Sequence, residues 1–106
     1  MQVRQIVEQY VLRAISDDYE TFDRILHDVT AWVAKRAGEV DRQTIIWALK
    51  ELINGGYAEA YRLSSGPPGS ADAVTFAEQS LDELSFYVTP KGKKYAKSFQ
   101  KEWRKA

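Results

Sequence analysis

The chain has 106 residues, of which 44% are hydrophobic and 28% are charged, so its length and composition indicate one globular domain rather than a disordered or fibrous protein. It contains no cysteine, which excludes disulfides, thiolate metal sites and cysteine nucleophiles. Fifteen basic and fifteen acidic residues give a formal net charge of zero, which taken alone speaks against a nucleic-acid partner.

Three amphipathic helices are predicted in the first half of the chain, over about residues 2–15, 20–36 and 41–54. Their apolar residues recur at steps of three and four positions, as in the run from Val3 to Ala14. Asp41 suits the N-cap of the third helix, because an aspartate there accepts hydrogen bonds from amides of the first turn. The segment Asn54-Gly55-Gly56 ends this helix.

After the glycines the apolar pattern changes to a period of two, which predicts a strand from Tyr57 to Leu63. The segment ELSFYVT, residues 83–89, is rich in strand-forming side chains and predicts a second strand that pairs with the first. Between them, SSGPPGS (residues 64–70) is typical of a turn. Residues 71–82 fit a strand extension, a short helix or a loop, and we favour a short helical or irregular insertion.

A fourth helix is predicted over about residues 90–105. Thr89 suits its N-cap and Pro90 its first position, where proline sacrifices no hydrogen bond. Gly92 in the first turn costs about 1 kcal/mol relative to alanine. The apolar stripe of this helix packs either on the rest of the domain or on a second copy of the chain, and it consists of Tyr95, Phe99 and Trp103.

The predicted order is three helices, a two-stranded wing (about residues 57–89) and a closing helix, in one domain that spans residues 1–106. This mainly α fold with a small β-hairpin (α+β) resembles the winged helix-turn-helix of PadR-like and MarR-like bacterial transcriptional regulators. The segment LKELINGGYAEAYRL is similar to the end of a recognition helix that runs into the first wing strand. The segment FYVTPKGKKYAKSF is similar to the second wing strand and the helix after it.

The resemblance implies that the third helix lies in the major groove of double-stranded DNA, with its first residues near base edges. Arginine and glutamine make two-pronged contacts to guanine and adenine. The candidate DNA-binding residues are Arg42, Gln43, Thr44, Trp47 and Lys50 on this helix and Lys91, Lys93 and Lys94 on the last one. The alternative is that they form only the solvated face of each helix, and that Trp47 packs on the N-terminal helix, the wing or another chain.

The charges are distributed unevenly along the chain. Residues 90–106 contain seven basic residues and one acidic residue, so the first 89 residues are acidic overall. No lysine or arginine lies between Arg62 and Lys91, whereas Asp72, Glu78, Asp82 and Glu83 are acidic. Because cations supply most contacts to the phosphates of DNA, we expect binding through the helices and not through the wing.

The sequence therefore predicts a small DNA-binding transcriptional regulator. The resemblance implies a homodimer formed by the last helix, through Tyr95, Phe99 and Trp103. The alternative function is a winged-helix protein–protein interaction module without DNA affinity. No catalytic or metal-binding pattern is found around His27, the single histidine, and no cofactor is expected. No apolar run approaches the ~20 residues of a membrane span, and the first residues lack a signal-peptide pattern, so we expect a cytoplasmic protein.

Overall fold

A computed structural model describes residues 3–17, 19–36, 38–63 and 71–98. The described residues form four α-helices and a four-stranded sheet, which confirms the predicted α+β class. In chain order the elements are α1 (Val3–Ala14), β1 (Glu20–Thr21), α2 (Phe22–Ala34), α3 (Arg42–Asn54), β2 (Ala58–Leu63), β3 (Ala71–Val74), a 3-10 helix (Glu78–Glu83), β4 (Ser85–Val88) and α4 (Pro90–Lys97).

The first three helices enclose the core, with α1 packed against both α2 and α3. Their apolar stripes are the buried ones, as the helical spacing predicts; Tyr10, Phe22 and Leu49 are among the largest fully buried side chains. Helix α2 begins at Phe22 and not at the predicted residue 20, because Glu20 and Thr21 pair with β4 as the short strand β1.

The sheet is larger than the two-stranded wing that the sequence predicts. Its order is β1-β4-β2-β3 and every pairing is antiparallel, so β2 lies between β4 and β3. The predicted pairing of the segment after α3 with residues 83–89 is present as β2 and β4. The ambiguous residues 71–82 contain the strand β3, which the favoured helical or irregular interpretation missed, and most of the 3-10 helix.

The two faces of the sheet differ as the period of two predicts. Ala58 and Ala60 face the core, whereas Tyr61 lies on the outer face with Tyr87 and Tyr19. The ring of Tyr19 lies 5.0 Å from each of the other two tyrosine rings. Burial, together with the hydrogen bond that its hydroxyl donates to Glu59 at 2.9 Å, raises the pKa of Tyr61 to about 12.

The passage from α3 into β2 is made by the predicted glycines. Gly56 has a φ of 80°, in the left-handed region that glycine occupies without strain. Its amide donates to the Ile53 carbonyl at 3.1 Å, and the Tyr57 amide donates to the Leu52 carbonyl at 2.9 Å. This pair of bonds is a Schellman motif, which satisfies the last carbonyls of the helix before the chain turns into the strand.

Helix α4 begins against this same junction. Thr89 caps it by accepting from the Gly92 amide at 3.0 Å, as predicted, and its hydroxyl donates to the Gly56 carbonyl at 2.6 Å. The Thr89 amide also donates to the Tyr57 carbonyl at 3.0 Å. The described part of the helix ends at Lys97, so the predicted extension to residue 105 falls largely outside the described residues.

Candidate nucleic-acid interface

The N-terminus of α3 is held by the predicted cap. An Asp41 carboxylate oxygen accepts from the Thr44 amide at 2.8 Å and from the Thr44 hydroxyl at 2.7 Å. Both bonds lower the pKa of Asp41 below its usual range, and the bond from the Thr44 hydroxyl has the larger effect. Because the Thr44 hydroxyl donates its proton within the cap, only its acceptor lone pairs remain for another group.

A row of side chains runs along the solvent-facing side of α3. Gln43, Lys50 and Asn54 in this row are exposed, and Trp47 is half-buried. At 3.6 residues per turn these four positions fall within about 60° of one another, on the side opposite buried Leu52 and Ile45. Three of the four were predicted. Asn54 was missed because its place before two glycines indicated only a helix end.

Trp47 packs on the N-terminal helix, one of the three partners considered from the sequence. It is half-buried, and the guanidinium carbon of Arg4 on α1 lies 4.7 Å from the centre of its ring. Together with Gln43, these two residues line a depression of about 220 Å³ at the start of α3. Arg4 therefore adds a cation beside the row. Arg4 could not be placed beside the row from sequence alone, because it lies in another helix.

Arg42 lies away from this row. It is about 100° from Gln43 around the helix, and its guanidinium carbon is 5.1 Å from the centre of the Phe22 ring. It is an exposed cation at the edge of the α3 surface, where a contact to the sugar-phosphate backbone fits better than a contact to base edges.

The lysines of α4 lie at the opposite end of α3. The Lys91 ammonium donates to the Gly55 carbonyl at 2.8 Å, next to the last helical residue. Lys93 lies over the ring of Tyr87, with 5.4 Å between its ammonium and the ring centre, and Lys94 is exposed. Because α3 extends roughly 18 Å from its first to its last residue, these lysines are not brought together with Arg42 and Gln43.

The predicted wing segment retains the acidic character that the sequence indicates. Glu59 on β2 and Glu78, Asp82 and Glu83 in the 3-10 helix are exposed. Arg62 on β2 lies 3.6 Å from the Glu83 carboxylate, in an ion pair with both side chains more than half exposed. An exposed pair of this kind contributes little stability, and it leaves this surface unsuited to phosphate contacts.

Of the three candidate dimer residues, Tyr95 is described, and Phe99 and Trp103 lie outside the described residues. The ring of Tyr95 stacks on Tyr57 of the same chain, with 4.6 Å between the ring centres. It is still 38% exposed, more than any other large hydrophobic side chain in the described part of the chain.

The Tyr95 ring also lies near the Glu8 carboxylate of α1. Burial raises the pKa of Glu8 on α1 above its usual value of 4.5, and the charge of Glu51 on α3 raises it further. The pKa of the Tyr95 hydroxyl is also raised, first by burial and then by the charge of Glu8. Ionised Glu8 is therefore unfavourable where α1, α3 and α4 meet.

We expect Glu8→Gln to increase the free energy of unfolding at pH 7, by no more than about 1 kcal/mol because the site is partly solvent-exposed. The pKa of Glu8 is higher in the folded state. Its protonated form therefore adds stability below about pH 4.5, which is lost as pH rises through the folded pKa. Urea unfolding at pH 4 and pH 7 should show the gain only at pH 7. Glu39→Gln removes the same charge at an exposed site and serves as the control; an equal gain there contradicts the explanation.

No protein-family model matches the chain, and no curated protein matches it. Among solved structures it is similar to a PadR family transcription regulator from hypervirulent Clostridium difficile, with a TM-score of 0.61 and 15% identity over 92% of this chain and 86% of that one. The chain has the winged-helix fold. It is also similar to a protein from Streptococcus mutans, with a TM-score of 0.60 and 19% identity over 97% of this chain and 79% of the other.

The predicted resemblance to PadR-like proteins is thus confirmed for the winged-helix fold. Within the described ranges no three His, Cys, Asp or Glu side chains are grouped as a metal site requires. None of the helices that the structure describes has both the length and the apolarity of a transmembrane span.

Proposed function

We propose that this winged-helix protein binds double-stranded DNA through α3 and acts as a small transcriptional regulator. The observation that carries the proposal is the solvent-facing row of Gln43, Trp47, Lys50 and Asn54, which runs the length of the helix after the turn. In helix-turn-helix proteins this second helix of the motif enters the major groove. A regulator of this kind works where the DNA is, which in a bacterial cell is the cytoplasm.

The side chains of the row suit base edges. Glutamine and asparagine make two-pronged contacts to adenine, and lysine reaches the acceptors of guanine. The exposed part of Trp47 offers an apolar surface to a thymine methyl group. Among the described residues, no hydrogen bond or ion pair occupies the side chains of Lys50 and Asn54, so both can donate to DNA.

Cations lie beside the row and within it. Arg4 and Arg42 are exposed near the start of α3 and Lys50 is exposed within the row, and together they offer up to about three phosphate contacts per chain. The lysines of α4 are too distant to extend this set at the N-terminal end of the helix. Affinity should therefore come from a small number of cations close to the row.

The proposal includes a homodimer formed by the last helix, and the exposure of Tyr95 supports it. A two-fold dimer of this kind would present two copies of α3 to successive major grooves, about 34–36 Å apart. The DNA site would then be an inverted repeat whose half-sites are separated by one helical turn.

The proposal is tested by the salt dependence of binding to a mixed pool of labelled duplexes, measured by fluorescence anisotropy. Three phosphate contacts give a slope of log K against log salt of about −2.7 per chain, or roughly a fortyfold loss of affinity between 50 and 200 mM salt. Analytical ultracentrifugation without DNA measures the number of chains in the protein's assembly. Dividing the observed slope by that number gives the slope per chain. A folded protein that shows no binding at about 50 mM salt, where phosphate contacts are strong, contradicts the proposal.

A second candidate function is a winged-helix module that binds another protein and not DNA. The acidic side chains of β2 and the 3-10 helix favour it, since Glu59, Glu78, Asp82 and Glu83 repel a phosphate backbone. Against it, Trp47 is half-buried and packs on Arg4 within the same chain. The anisotropy experiment separates the two functions, because only the first predicts salt-dependent binding.

A further inference from the structure

A small pocket lies between α1 and α2, on the other side of α1 from the α3 surface. Its volume is about 130 Å³, and its lining side chains are Tyr10, Arg13, Trp32 and Lys35. Arg13 follows Arg4 by nine residues, or about 180° around the helix, so the two lie on opposite sides of α1. Because Arg4 is the residue of α1 that packs on Trp47, the pocket is separate from the row on α3.

Three cations converge on two aromatic rings in this pocket. The guanidinium carbon of Arg13 lies 4.5 Å from the centre of the Trp32 ring, and that ring lies 5.6 Å from the ring of Tyr10. Arg36 donates to the Tyr10 hydroxyl at 3.4 Å, and its neighbour Lys35 lines the pocket. Within the described ranges no carboxylate pairs with Lys35 or Arg36. Since like charges repel one another, an anion among these three cations is favourable.

The pocket also offers hydrogen-bond donors that lack acceptors. The Tyr10 side chain is only 1% exposed; its hydroxyl accepts from Arg36 and donates to no other described residue. The indole N–H of Trp32 likewise has no acceptor in the described part of the chain. Asp28, one turn before Trp32 on α2, is paired with Arg24 at 3.3 Å. Buried donors are normally satisfied, and although water can satisfy them, the surrounding positive charge favours an anion with several acceptor oxygens.

We propose that this pocket binds a phosphate group, either as the free ion or as the monoester of a small molecule. Phosphate carries almost two negative charges at neutral pH and three strong acceptor oxygens. Guanidinium groups match its geometry with paired hydrogen bonds, and the lysine adds a third charge. The pocket is smaller than the roughly 300–1,000 Å³ of sites that enclose a whole ligand. It therefore holds the phosphate alone, and the rest of a monoester extends into solvent past the exposed Lys35 and Arg36.

The first test follows the amide and indole N–H signals of the intact chain by NMR, with the ionic strength held constant by sodium chloride. Phenyl phosphate should shift the Trp32 indole signal and the amides of Lys35 and Arg36 in a saturable way, and the Trp47 indole should not move. Phenyl sulfate has the same shape and about half the charge, so it should bind several times more weakly. Inorganic phosphate distinguishes the two sources: affinity equal to that of phenyl phosphate identifies the free ion, and weaker affinity identifies a monoester.

The second test removes single charges. Lys35→Met, at an exposed position, should weaken the binding of phenyl phosphate about fivefold. Lys97→Met removes the same charge from an exposed position on α4 and should leave the binding unchanged. The proposal is overturned if phenyl phosphate shifts the Trp32 indole no more than sodium chloride of the same ionic strength does. Equal losses in the two lysine variants overturn it as well.

The last test separates this site from the DNA surface. Lys35→Met should leave the affinity for a labelled duplex within about twofold of wild type, because the lost charge acts only at a distance and is screened by salt. A loss as large as that caused by Lys50→Glu would assign Lys35 to the duplex and overturn a separate phosphate site. If the chain binds phenyl phosphate and no DNA, the proposed function fails while the phosphate site stands. The converse result removes the phosphate site alone.

Discussion

Gly92→Ala is expected to lower the free energy of unfolding by about 3 kcal/mol, the upper part of the usual range for overpacking. Propensity alone predicts the reverse, since alanine favours a helix over glycine by about 1 kcal/mol. A Cβ at this position would lie 2.0 Å from the Tyr57 carbonyl oxygen and 2.6 Å from a Val88 methyl carbon. The carbonyl is fixed by the hydrogen bond that it accepts from the Thr89 amide, so the strand cannot simply move away. Urea unfolding of the two proteins measures the difference.

Two other glycines, Gly38 and Gly56, provide matched controls for Gly92→Ala. Gly56 and Gly38 have φ angles of 80° and 86°, and a Cβ on either would meet no atom closer than 3.8 Å. Their alanine variants carry backbone strain without a clash and should each cost about 1–2 kcal/mol. A Gly92→Ala variant as stable as wild type would show that α4 is not held against Tyr57 and Val88 as described.

The prediction of Gly92 from sequence illustrates a general limit. A glycine in the first turn of a helix indicates a soft helix start, because its intrinsic propensity is the only quantity that the sequence provides. The contact with Tyr57 joins residues 35 positions apart in the sequence and becomes visible only in the fold. By contrast, Asp41 and Thr89 were assigned correctly as caps and the segment Asn54-Gly55-Gly56 as a helix end, because capping depends on neighbours within a few residues.

The strands were predicted unevenly for a related reason. The alternation from Tyr57 to Leu63 revealed β2, since one face of it is buried. Strands β1 and β3 have two and four residues, too few to show a period. They are strands because β4 and β2 offer unpaired edges to them, and such pairing across the chain is not encoded locally.

The candidate interface was predicted best where helical geometry decides it. Once α3 is fixed, the spacing of Gln43 and Lys50 makes them neighbours on one face, and this part of the prediction required no tertiary information. The number of lysines near the C-terminus indicated a basic segment, but it did not indicate where that segment lies relative to α3. The structure puts Lys91 at the far end of α3, where its ammonium binds the Gly55 carbonyl.

Charge reversal at Lys50 should reduce DNA affinity more than the same change on α4. Lys50→Glu removes a cation from the middle of the row and adds repulsion, which we expect to weaken binding at least thirtyfold, or about 2 kcal/mol. Lys94→Glu changes the net charge equally at an exposed position on α4. It should weaken binding by less than about threefold, because its repulsion of the DNA acts over a long distance and is screened by salt. Anisotropy with one duplex at fixed salt compares the variants, and circular dichroism confirms that each is folded.

The two lysine variants also decide between the two basic regions that the sequence offered. Equal losses would mean that total charge and not the α3 surface governs binding, as in non-specific association. A larger loss in Lys94→Glu would assign the interface to α4 and remove Gln43 and Asn54 from it. Only a much larger loss in Lys50→Glu agrees with a duplex that lies along the row. Lys50 lies between Gln43 and Asn54 on one face of α3, whereas Lys94 lies on another helix.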